Sequence, residues 1–248
     1  MNGRINIILI LTIMLGCKEN VIEENKRDFF LFIGQSNMAG RGELIESDYE
    51  PNQKIYVFDG DKWINGIHPY NQYSNIRKKI DLQKYSMIES FAENLFFFEP
   101  HKNGVNVIVN ARGGSSIDEW QPGEEYYEKT IQVLKKALKN GKCLGILWHQ
   151  GESDRFKSSN YLVKLNVMIN GIRSIANQDI PLIVGQIPNW KGNSNEFNNM
   201  ILNASDFISK CKVVILPEDA EHIGDTIHFN RKTLINIGLK YADKYTSF

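Results

Sequence analysis

The chain has 248 residues, 42% of them hydrophobic and 23% charged, and its 29 basic and 29 acidic side chains cancel at neutral pH. That length fills one full-sized α/β core, and balanced charge lacks the basic excess that gripping a phosphate backbone requires, so nucleic acid is not an expected partner. No Pro/Gly/Ser-rich linker or internal repeat divides the sequence, and one domain is expected for residues 28–248.

In chain order, Arg4 precedes an apolar run from Ile5 to Leu15 broken only by Asn6 and Thr12. Such a run is too short to span a bilayer stably but suits the core of a signal peptide. It ends at "MLGC", and a small residue directly before cysteine resembles a bacterial lipoprotein processing site. The resemblance implies a leader over residues 1–17 with Cys17 as the lipidated residue. The charged stretch over residues 18–27 reads as a flexible tether. The expectation is a lipid-anchored protein of the bacterial cell envelope, periplasmic or outward-facing, touching membrane only through that lipid. An ordinary signal peptide with an incidental Cys17 would instead give a secreted protein.

Five short apolar runs follow, at 29–33, 105–109, 144–148, 181–185 and 212–216. Continuous rather than alternating hydrophobicity predicts strands of a parallel sheet covered on both faces. "KIYVFDGDKW" at 54–63 carries an Asp-Gly turn signal and predicts a small hairpin outside that sheet. Helical spacing separates the strands. Ser86 and Glu89 have the spacing of a capping box, which predicts a helix start before Ile88, Phe91, Ala92 and Leu95. Tyr127 to Leu138, Leu165 to Ala176, Phe197 to Ile208 and Leu234 to Tyr245 each carry an apolar stripe. Alternating strand and helix with right-handed crossovers predicts a three-layer α/β/α sandwich. Cys143 and Cys211 each stand at a predicted strand start, with no CxxC spacing. Two buried thiols are expected there; a disulfide is left open, and no metal or other cofactor is expected.

The polar residues gather where strands end, which is where ligands bind in open α/β sheets. "GQSN" follows the first strand, "ARGGSS" the second and "HQGESD" the third, while the last leads to "PEDAEHIGDTIHFN". A serine needs a base, and imidazole is suited to that near neutral pH. Of five histidines, His68 and His101 lie in polar connections and are expected at the surface. His149 directly follows a strand and has a structural reading, and His222 lacks a regularly spaced carboxylate. His228 has Asp225 three residues before it, a spacing that lets a carboxylate reach Nδ1 and leaves Nε2 for a serine. For an oxyanion, Gly113 or Gly114 permits close backbone approach, and Gln150 or Asn37 offers a carboxamide.

At these residues the sequence resembles the SGNH hydrolase superfamily, and more closely its sialate O-acetylesterase and carbohydrate acetylesterase branch. The resemblance rests on "GQSNMAG" 34–40, "GGSSIDEW" 113–120, "WHQGESD" 148–154 and "DTIHF" 225–229, in family order. It implies the flavodoxin-like fold of that superfamily, Ser36 as nucleophile, His228 as base and Asp225 as acid, with Glu152 as the alternative acid. It also implies oxyanion donors at Ser36, Gly113 or Gly114, and Gln150. Gln35, Asn37, Arg112 and Trp120 are candidates for substrate contact, Arg112 and Trp120 evenly balanced against structural roles. Trp190 reads as packing. The implied reaction removes O-acetyl groups from a carbohydrate such as a sialic acid or xylan, through an acetyl-enzyme and without a cofactor. Two other readings stand beside it. An α/β-hydrolase would need glycine where Met38 stands. A surface lipoprotein could bind acetylated glycan without cleaving it.

Overall fold

Along the first strand, Phe29, Leu31 and Ile33 fill one side of the sheet while Phe30 and Phe32 fill the other, and all are buried. This period of two is what a strand covered on both faces demands. The computed structural model describes residues 26–98 and 104–248. Cys17, the leader, most of the tether and His101 lie outside the described residues. Arg27, assigned to the tether, belongs to the folded unit: its N–H donates to the Asn140 carbonyl at 2.8 Å and its guanidinium lies 4.3 Å above the Tyr56 ring.

The strands are β1 (Phe29–Gly34), β2 (Asn52–Phe58), β3 (Trp63–Gly66), β4 (Val105–Ala111), β5 (Cys143–His149), β6 (Leu182–Gly185) and β7 (Cys211–Val214). They form a 7-stranded sheet ordered β3-β2-β4-β1-β5-β6-β7, in which only β3 runs antiparallel. The hairpin expected outside the sheet instead extends its edge, because β2 continues the ladder beside β4 with Val57 opposite Val107. Ile55 and Val57 are fully buried, so apolar surface makes β2 a sheet member.

The helices are α1 (Ser36–Ala39), α2 (Ile88–Phe98), α3 (Glu125–Ala137), α4 (Tyr161–Ala176), α5 (Asn195–Leu202), α6 (Ala204–Phe207) and α7 (Arg231–Thr246). Residues of α2 and α7 share a core with Phe30 and Phe32; those of α3, α4 and α5 share the other with Leu31 and Ile33. The stripe from Phe197 to Ile208 is two helices rather than one. Both cysteines are free and buried, and burial pushes each thiol up to about 12.

β1 is the strand from which the sheet grows both ways, toward β4 and β2 on one side and toward β5, β6 and β7 on the other. Connections leaving such a strand diverge and open a crevice at its carboxyl end. The motifs after β1, β4 and β5 therefore meet at one place.

Candidate active site

Gly34 ends β1 with φ of 142°, and a Cβ there would lie 2.2 Å from the His149 carbonyl oxygen of β5. Only glycine allows that approach. The next N–H, of Gln35, donates to the same carbonyl at 3.0 Å, which turns Ser36 up onto the rim as the first residue of α1. Gln35 helps fix that turn, since its Oε1 accepts from the N–H groups of Gly151 and Ser153 at 3.3 and 3.4 Å.

His228 arrives from the loop between β7 and α7. An isolated bridge pairs His222 with Phe229, and Asn230 caps α7 by accepting the Thr233 N–H at 2.9 Å. Thr226 between them is left-handed, with φ of 57°, a conformation that costs a β-branched residue energy. It curls the loop so that Asp225 Oδ1 accepts the N–H groups of Ile227 and His228, both at 2.9 Å. Asp225 Oδ2 lies 2.5 Å from His228 Nδ1, and His228 Nε2 lies 2.9 Å from Ser36 Oγ. Partial burial raises the Asp225 carboxyl, but those N–H groups and the imidazole outweigh it and hold it below the usual carboxylate range. An ionised carboxylate on Nδ1 leaves Nε2 able to accept a proton from serine.

Glu152 does not reach the imidazole. Its Oε1 accepts from Asn37 Nδ2 at 2.5 Å, and Asn37 in turn clasps the histidine loop on both sides: Nδ2 donates to the Ile227 carbonyl and Oδ1 accepts the Phe229 N–H, each at 3.1 Å. Oε2 of Glu152 is buried without a partner, and burial pushes its carboxyl up to about 7.

The remaining wall comes from the turn after β4. A Cβ on Gly113 would meet Arg41 Nη2 at 2.8 Å and Ser36 Cβ at 3.4 Å, so a side chain there would displace the Arg41 guanidinium from beside the nucleophile. Gly114 beside it is left-handed, with φ of 76°. Among the described residues, no hydrogen bond occupies the N–H of either glycine, and the Ser36 N–H, first in its helix, has no partner within that helix. Ser36, Gly113, Gly114, Glu152 and His228 line one cavity of about 350 Å³, together with three cations, Arg41, Lys78 and Arg155. Burial pulls the Arg41 guanidinium down to about 10 while Asp225 opposes that shift. Sequence reasoning missed Arg41 and Lys78, because each reaches the cavity through a loop that carries no regular pattern.

Several expected site residues stand elsewhere. Gln150 is fully buried, and its Nε2 donates to the Ser115 carbonyl at 2.9 Å and to Asp154 Oδ2 at 2.5 Å. With both hydrogens spent, it has none for an oxyanion. Trp120 is buried against Trp148 and donates to Ser115 Oγ at 2.9 Å, so it supports the loop rather than touching a ligand. Arg112 donates to the carbonyls of Ile76 and Arg77, at 3.1 and 3.2 Å, outside the cavity. Asn37, also assigned to substrate, is fully buried in its clasp. His149 is a core residue 3.1 Å from the Tyr241 hydroxyl, its pKa pulled down to about 3 by burial. His68, expected at the surface, is buried: it stacks on Tyr85 with centroids 4.7 Å apart and meets Glu89 at 3.3 Å.

The sequence profile of the family described as "Carbohydrate esterase, sialic acid-specific acetylesterase" matches residues 26–247. The chain belongs to this family. It is 24% identical over 241 residues to a probable carbohydrate esterase of Arabidopsis thaliana, covering 88% of this chain and 90% of the plant protein. The X-ray structure of that plant protein superposes with a TM-score of 0.77 at 22% identity, covering 90% of this chain and 98% of the other, which fixes the shared fold.

In this carbohydrate esterase one group of metal-type ligands occurs among the described residues, Asp48, His68 and Glu89, with ligand atoms within 4.8 Å of one another. Both Asp48 oxygens are already held by the Arg231 guanidinium, Oδ1 at 2.8 Å. A fixed cation in that position repels a second one, so the group does not fit a metal site.

Proposed function

We propose that this cavity removes O-acetyl groups from a carbohydrate by serine catalysis. The observation that carries the reading is the chain of contacts from Asp225 through His228 to Ser36, at 2.5 and 2.9 Å. Ser36 Oγ attacks the acetyl carbonyl while His228 Nε2 takes its proton, and Asp225 stabilises the imidazolium. The tetrahedral oxyanion is received by backbone N–H groups of Ser36 and of Gly113 or Gly114, each donor worth about 3 kcal/mol in the transition state. His228 then gives its proton to the departing sugar oxygen, leaving acetyl-Ser36. Water, deprotonated by His228, cleaves that ester, and acetate leaves as Ser36 is reprotonated. No residue beyond these is required.

Arg41, Lys78 and Arg155 around the nucleophile favour an acidic sugar, a sialic acid or a uronic acid, over neutral xylan, because a carboxylate on the sugar compensates their charge. The accompanying proposal for Cys17, a lipid anchor in a bacterial envelope, is tested by incorporation of labelled palmitate into the wild type and its loss in Cys17→Ser.

Acetate release from O-acetylated sialic acid and hydrolysis of 4-nitrophenyl acetate test the chemistry. Ser36→Ala is expected to lower both by several orders of magnitude. Near-normal turnover by that variant overturns the assignment, and binding of acetylated glycan without acetate release by the wild type favours a glycan-binding role.

A further inference from the structure

A second cavity, of about 370 Å³, lies at the carboxyl ends of β6 and β7, lined among others by Gln186, Trp190, Asn199, Leu216 and Glu218. Its size falls within the range of small-ligand sites. Resting on the esterase reading, we infer that it is an accessory subsite for neutral sugar residues of the same glycan whose acetylated residue sits at Ser36.

The two cavities are linked through one packed residue, since Trp190 lines the second and Phe229 adjoins His228 of the first. The Trp190 ring packs on Phe229, the residue after His228, with centroids 5.6 Å apart, and on His222 at 4.9 Å. Both open on the same rim of the sheet. With neighbouring strands about 4.8 Å apart, β6 and β7 lie about 10 to 14 Å from β1, a span that an oligosaccharide crosses and a monosaccharide does not.

The lining chemistry suits hydroxyl groups. Asn198 gives both ends of its amide to the Ile187 backbone, at 2.9 Å each, and builds the wall. Gln186 spends its Oε1 on the Leu216 N–H at 3.2 Å, which leaves its amide hydrogens. Among the described residues, no hydrogen bond or ion pair engages the side chain of Asn199 or Glu218. Donors, acceptors and one carboxylate beside an indole can hold a sugar's hydroxyls and cover its apolar face. Glu218 disfavours an acidic sugar here, whereas three cations surround the catalytic cavity. The pair of cavities therefore fits an acidic acetylated residue joined to neutral ones.

The test uses the full chain and two readouts. Catalysis is compared on O-acetylated sialyllactose and on free O-acetylated sialic acid, the lactose being the neutral extension. The double variant Asn199→Ala, Glu218→Gln is expected to lower kcat/KM for the trisaccharide by about tenfold, the equivalent of one or two hydrogen bonds. It should leave the monosaccharide and 4-nitrophenyl acetate unchanged. Separately, lactose is titrated into Ser36→Ala while the indole NMR signal of Trp190, assigned with Trp190→Phe, is followed. Saturable movement of that signal, lost in the triple variant, supports the subsite even if no ester is hydrolysed. Equal kinetics for both substrates together with an unmoved Trp190 signal overturn the subsite, even if hydrolysis proceeds.

Discussion

At the scale of single residues, the two acidic candidates separate by what each touches. Asp225 meets His228 Nδ1 at 2.5 Å, while Glu152 meets Asn37. Asp225→Asn should lower kcat by about 10³- to 10⁴-fold, as loss of a triad carboxylate does. Glu152→Gln should cost far less, because its contact acts on the backbone beside His228 and not on the imidazole. Comparable losses in steady-state assays of the two variants would contradict that division. Glu152 has a second consequence, for stability. Burial raises its carboxyl from 4.5 to about 7, so between those values the folded chain holds a proton that the unfolded chain has released. Folding is then progressively penalised as pH rises from about 4.5 and the penalty levels off above about 7, at about 3 kcal/mol. Urea unfolding of wild type and Glu152→Gln at pH 5 and pH 8 measures this: the variant should gain on the wild type as pH rises. Parallel curves at both pH values would contradict a buried, desolvated Glu152.

At the scale of elements, the strands were legible because burial on both faces leaves continuous apolar runs, and the site was legible because polar motifs follow β1, β4, β5 and β7. Pattern failed where three-dimensional company decides. The β2–β3 hairpin has turn chemistry in its sequence, but only the place beside β4 shows that Ile55 and Val57 are core residues. His68 looked superficial in a polar connection and is packed between Tyr70 and Tyr85. Gln150 carried the right group for an oxyanion, yet its use is decided by Asp154 and Ser115, which no spacing reveals. The clasp of Asn37 on the loop around His228 belongs to this scale as well. Asn37→Ala strips partners from the buried Phe229 N–H and the part-buried Ile227 carbonyl, and an unmet buried group costs about 1–3 kcal/mol. A thermal shift together with a lowered kcat is expected; an unchanged melting temperature would show that the loop holds itself.

For the whole molecule, net charge is zero, yet cations collect where β1, β4 and β5 open. If Arg41, Lys78 and Arg155 receive an acidic sugar, kcat/KM for O-acetylated sialic acid should fall several-fold as salt rises from about 0.01 to 1 M and the screening length shrinks from about 30 to 3 Å. Hydrolysis of neutral 4-nitrophenyl acetate should stay flat over the same series, and an equal response of both substrates would contradict steering by that rim. The central claim is that residues 36 and 228, far apart in sequence, act as one nucleophilic unit. Rapid-quench mass spectrometry with an isotopically labelled acetyl ester tests it most directly. The account predicts labelled acetyl on the peptide containing Ser36, appearing before free acetate and decaying with turnover. Acetate released with no label on that peptide, or with label on another residue, would contradict it.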